Sequence, residues 1–182
     1  MMHLSLMAKL QAVVLFSALT STAAFAHVTM EPHAAAAGAY TKLTFRVAHG
    51  CDGSPTKRLT VRLPEGTLAV KPQVHTGWDI TTKKVKLAVP FKMHGKEIKE
   101  SVSEVTWSGG TLSDEYMDEF AMSVKLPENA TGVLAFPVTQ ECAKGSLQWS
   151  EIPKTESDHA EYPAPTLKIE SKAVDEHAHM GH

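Results

Sequence analysis

"AYTKLTFRVAH" (residues 39–49) sets Leu43, Phe45 and Val47 in alternation with Thr44, Arg46 and Ala48. A period of two sends successive side chains to opposite faces, so the stretch predicts a strand with one buried face. The pattern returns on either side of it. "KRLTVRLP" (57–64) turns Leu59, Val61 and Leu63 inward, "SVSEVTWSG" (101–109) aligns Val105 with Trp107, and "EFAMSVKLP" (119–127) aligns Phe120, Met122, Val124 and Leu126. "GVLAFPV" (132–138), "SLQWSEI" (146–152) and "PTLKIE" (165–170) read as further strands, separated by Pro- and Gly-bearing turns such as "GCDGSP" and "LPENATG". "LSDEYMDEF" (112–120) reads as a loop or single turn. Seven or more short strands joined in this way predict an all-β fold, a two-sheet antiparallel β-sandwich of immunoglobulin or fibronectin-III type.

The strands begin only after a different kind of segment. Residues 1–26 hold Lys9, then the apolar run "LQAVVLFSALTSTAAFA", ending in Ala24-Phe25-Ala26. A basic start, a short apolar core and an Ala-x-Ala triplet are the marks of a signal peptide, and the run is short and Ser/Thr-rich for a membrane span. Cleavage there predicts an exported, soluble, periplasmic protein beginning at His27, with no lipid attachment at a first cysteine and no membrane anchor in the mature chain. One domain is expected over 27–170. The end, "SKAVDEHAHMGH" (171–182), lacks apolar periodicity and predicts a mobile His/Met-rich tail.

Charge narrows the partners. The formal net charge is −2, and the leader takes away a lysine and no acids. No basic stripe for nucleic acid and no cationic amphipathic helix for lipid is present. Cys51 and Cys142 are the two cysteines. In an oxidising compartment they predict a disulfide, worth about 4–5 kcal/mol in the chain-entropy model. The rival is a thiolate metal site with His49 of "AHGC". A blue-copper site would want Cys, His and Met on one loop, and "AKGSLQWSEIP" after Cys142 carries neither His nor Met.

Freed by cleavage, His27 would offer two nitrogens from one residue, its α-amine and Nδ1, which close a six-membered chelate on a metal. Cu(II) favours nitrogen donors in tetragonal arrangements and heads the divalent affinity order. An amine with a pKa near 8 must surrender a proton to the metal at neutral pH. The plain alternative is that signal peptidase tolerates many first residues. His27-Val28-Thr29-Met30-Glu31 reads as a short strand, which places His27, Thr29 and Glu31 on one face and Val28 and Met30 on the other. Glu31 is thereby a further candidate ligand or a solvated edge residue.

"AHVTMEPHAAAAGAYTKLTFRV", "HGCDGSPTKRLTVRLPEG", "GWDI", "VTWSGG", "AFPVTQECAKGSLQWSEIP" and "APTLKI", in this order, resemble the YcnI-like copper-binding domain in its Gram-negative form, from His27 to about Glu170. The resemblance implies a β-sandwich that binds one Cu(II) through a monohistidine brace on His27, with a tryptophan close by, which falls on Trp149. Indole N–H only donates, so Trp149 would shield the ion without binding it. Trp78 and Trp107 read as core residues. In the tail, His177, His179, Met180 and His182 read either as a weak copper or zinc site, with Met favouring Cu(I), or as incidental. His33, His49, His75, His94 and His159 read as surface or turn residues, His49 being the nearest to an exception because it precedes Cys51.

The expected function is copper storage, buffering or transfer, with no enzymatic activity. Copper would be exchanged with another periplasmic copper chaperone or a copper-enzyme assembly factor. Two alternatives remain. A copper oxidase acting on polysaccharide would add a second histidine to the brace and an aromatic binding surface, which 7% aromatic residues do not suggest. A metal-free adhesion or assembly sandwich would leave His27 accidental. No catalytic Ser-His-Asp set, His-x-x-x-His or Cys-x-x-Cys is present.

Overall fold

The computed structural model describes residues 27–93, 95–153 and 159–170. Residues 1–26, read as a leader, His94, and residues 171–182 with His177, His179, Met180 and His182 lie outside them. The described residues form β1 (Thr29–Glu31), β2 (Ala34–Ala36), β3 (Tyr40–Val47), β4 (Thr56–Arg62), β5 (Leu68–Pro72), β6 (Asp79–Met93), β7 (Lys96–Leu112), β8 (Asp118–Lys125), β9 (Val133–Ala135), β10 (Val138–Cys142), β11 (Ser146–Trp149) and β12 (Thr166–Glu170). A four-stranded sheet in the order β1-β3-β8-β5 and a five-stranded sheet in the order β11-β10-β4-β7-β6 make the sandwich, and both are antiparallel. A third sheet, β2-β12-β9, adds a parallel pair between β12 and β2.

The predicted alternation is what packs the interior. Leu43, Phe45 and Val47 of β3 are at most 1% exposed, as are Phe120, Met122 and Val124 of β8. Opposite them lie Leu59 and Val61 of β4, Val105 and Trp107 of β7, and Val138 of β10, all as fully buried. Each such side chain contributes roughly 1.5–3 kcal/mol by leaving water. Val28 and Met30 are buried while Thr29 and Glu31 are exposed, so β1 presents the two faces expected of it.

Two boundaries differ from the sequence reading. "GVLAFPV" is not one strand. β9 ends at Ala135, Phe136 plunges into the core, and Val138 opens β10 in another sheet. Pro137 supplies no N–H to a ladder, so pairing breaks there and the chain changes sheets. The sequence reading also places no strand at β6 and only residues 101–109 at β7, whereas the two form one long hairpin. β4 pairs with β7 only between Glu104 and Leu112, and the outer part of the hairpin continues as a two-stranded ribbon. The ribbon reaches the other sheet: Phe91 lies under Lys125 Nζ at 4.6 Å, and Tyr40 donates its hydroxyl hydrogen to Met93 Sδ. At the root of the hairpin Gly110 is indispensable, because a Cβ there would stand 2.3 Å from the Trp78 ring.

The expected disulfide is present, joining Cys51 to Cys142 across 91 residues. It ties the loop after β3 to the end of β10, and so one sheet to the other. The thiolate alternative is thereby set aside. Replacing both cysteines by serine is expected to lower the unfolding free energy by about 2–5 kcal/mol, read from the denaturant midpoint.

Candidate metal centre

β1 and β11 are edge strands of different sheets, and their ends meet at Trp149. The indole is 1% exposed, as buried as the core residue Trp107. Three rings stand edge-on around it: His27 with centroids 5.8 Å apart, His49 at 6.1 Å and Tyr162 at 5.5 Å. The antiparallel pairing of β1 with β3 explains why two histidines reach the same end of the sandwich. Thr29 pairs with Arg46 across β1 and β3. His27 lies just before β1 and His49 just after β3, at the same end of this pair.

A buried glutamine organises this end of the sandwich. Gln140 on β10 is fully buried and uses its whole amide. Its Oε1 accepts from Trp149 Nε1 at 2.9 Å, and its Nε2 donates to the His49 carbonyl at 2.7 Å and to Thr56 Oγ1 at 2.8 Å. Because indole can only donate and a carbonyl can only accept, these partners settle which end of the amide is which. By contrast, the buried N–H of Trp107 has no hydrogen-bond partner among the described residues.

The loop carrying His49 is held equally firmly. The Gly50 N–H donates to Asp114 Oδ1 at 2.7 Å, and Cys51 and Ser54 exchange backbone hydrogen bonds of 2.9 Å. A Cβ on Gly50 would sit 1.9 Å from the Ser54 carbonyl oxygen, so the close approach requires glycine. His49 Nδ1 meets the Gly50 carbonyl oxygen. A carbonyl accepts only, so Nδ1 carries the proton and the lone pair is left on Nε2.

Tyr162, beside Trp149, has carboxylates around it. The Tyr162 phenol is raised above its ordinary pKa, first by its hydrogen bond to Glu161 and the charge of that carboxylate, then by desolvation and by the charges of Asp52 and Glu151. Carboxylates gathered on this side favour the approach of a cation.

The sequence-predicted residues divide. His27 and Trp149 are brought together. Glu31 is exposed and faces Arg46 at 4.0 Å, an arginine that also pairs with Glu119 at 3.3 Å. His33 and His159 are exposed, as expected. His49 is more than a turn residue: it is half-buried and shares Trp149 with His27. His75 is likewise no free surface residue, since its Nε2 lies 2.8 Å from Asp118 Oδ2 and its ring packs on Phe120 at 4.7 Å. Trp78 packs against the core and on Phe120. Gln140 and Tyr162 were not singled out by sequence reasoning. Among the described residues no three His, Cys, Asp or Glu side chains gather as a metal cluster.

An uncharacterised protein from Nocardia farcinica with an immunoglobulin-like fold is similar in structure, with a TM-score of 0.60 and 26% identity, covering 79% of this chain and 97% of that one. A protein from Corynebacterium diphtheriae, described as membrane anchored, matches at a TM-score of 0.40 and 13% identity, covering 79% of this chain and 33% of that one. No curated protein matches in sequence. No helix among the described residues is long and apolar enough to cross a membrane. The family model that matches, over residues 27–169, is described as a domain of unknown function, DUF1775. The chain is a member of the DUF1775 family, with an immunoglobulin-like β-sandwich as its fold.

Proposed function

We propose that the protein is exported, is cleaved before His27, and holds one Cu(II) through the α-amine and Nδ1 of His27 for storage, buffering or transfer to another periplasmic copper protein. The observation that carries this reading is the placement of His27 against the buried Trp149, whose indole N–H is held by Gln140. The YcnI-like resemblance points to the same two residues, and the family match starts at His27. The donor set suits the ion: neutral nitrogens for a borderline divalent metal, with an indole excluding water from one side. His27 would bind the ion and Trp149 would cover it.

The protein isolated after export is expected to start at His27 and to take up one Cu(II) per chain. Mass spectrometry checks the first residue, and isothermal titration checks the stoichiometry. A properly cleaved chain without a saturable site would sink the proposal.

The second imidazole beside Trp149 favours one other reading, a copper oxidase, because such enzymes place a second histidine on the ion. An oxidase would pass electrons from ascorbate to O2 and release hydrogen peroxide. Storage or transfer predicts no peroxide above that of free copper under the same conditions.

A further inference from the structure

We infer that His49 is a copper ligand, donating Nε2 as the third protein nitrogen to the ion held at His27. The inference rests on the copper reading above and adds a residue to it, since a monohistidine brace leaves His49 out. Three observations carry it. First, His27 precedes β1 and His49 follows β3, its antiparallel neighbour, so both lie at one end of this strand pair, and both rings meet the same buried indole. Second, the Nδ1 contact with the Gly50 carbonyl selects the tautomer whose Nε2 has a free lone pair, the arrangement found in metal-binding histidines whose other nitrogen is tied to the protein. Third, the position is built. Gln140 holds the His49 carbonyl, Asp114 holds the Gly50 N–H, and Cys51 is anchored through its disulfide. A surface histidine needs none of this support. A metal ligand does, because ion affinity depends on donors being held before the ion arrives.

The ligand set is therefore one amine and two imidazoles, all neutral and all nitrogen. It retains the full positive charge of Cu(II). Such a site favours Cu(II) over Cu(I), which prefers softer sulfur donors.

Pulsed EPR of the cleaved, full-length chain loaded with Cu(II) alone tests the idea. The modulation from remote imidazole nitrogens is expected to show the combination lines of two coordinated rings in the wild type. In His49→Gln they should reduce to the pattern of one ring, with affinity lowered by about 10–100-fold and the one-to-one stoichiometry kept. A wild-type spectrum with a single imidazole would overturn the inference without any variant, as would a folded His49→Gln protein with unchanged spectrum and affinity. Either result would leave the His27 brace standing. A wild-type chain that binds no Cu(II) would remove the brace as well.

Discussion

Acetylating the α-amine of a chain that begins at His27 is expected to lower its Cu(II) affinity by at least about a hundredfold, a loss of roughly 2.8 kcal/mol. Acetylation removes the amine lone pair and with it the six-membered chelate, while the His27 ring stays against Trp149. It is a cleaner block than an added residue, because a free amine one position earlier would form a different chelate with the following amide and imidazole. The unmodified chain should also bind more tightly as pH rises towards the ordinary amine pKa near 8, since the ion then competes with fewer protons. The acetylated chain should lack that part of the pH dependence. Titrations of both forms across neutral pH, with a competing chelator, check the two halves. Equal affinities would mean that the amine is no ligand.

The second large effect is expected from Gln140→Met. Methionine fills a similar volume but leaves Trp149 Nε1, the His49 carbonyl and Thr56 Oγ1 without their partner. Each buried polar group that loses its bond costs about 1–3 kcal/mol, so a fall of roughly 3 kcal/mol in unfolding free energy is expected. Copper affinity should fall too, by about 10–100-fold, because the amide fixes both the His49 backbone and the indole. Denaturant midpoints of copper-free protein separate the first effect from the second, and Cu(II) titration reads the second. Unchanged stability would show that these bonds are made to water just as well.

The legible parts of the fold are those whose strands have one buried face. β3, β4 and β8 announce themselves because Leu43, Phe45, Leu59, Val61, Phe120 and Val124 must alternate to reach the interior. β6 does not, since most of it is exposed on both faces and its lysines fall in either phase. Nothing selects alternation in a ribbon that packs against little. Pro90 conceals it further, although Leu87–Pro90 sit in a bulge where the ladder is interrupted and no N–H is needed.

At the site, His27 is readable from the cleavage pattern and Trp149 from the family resemblance. Burial alone does not tell Trp149 from Trp107. His49 is hard to read because it lies past the end of β3, where periodicity stops, and its partners come from β10 and β11. Gln140 is harder still. A glutamine on an inward strand position looks like a solvated residue until the indole and carbonyl that use its amide are placed beside it.

The disulfide has a consequence for timing. It anchors the loop that carries His49, and on the exported reading the amine of residue 27 is freed only by removal of the leader. On the exported reading, thiol oxidation and leader cleavage are separate covalent events, carried out by different machinery on the far side of the inner membrane. Neither takes place in a reducing cytoplasm. The newly made chain would thus have neither its first nitrogen nor a fixed loop for its third, and could not compete for copper among cytoplasmic proteins. Copper affinity would be acquired by maturation, in the compartment where the metal is to be met.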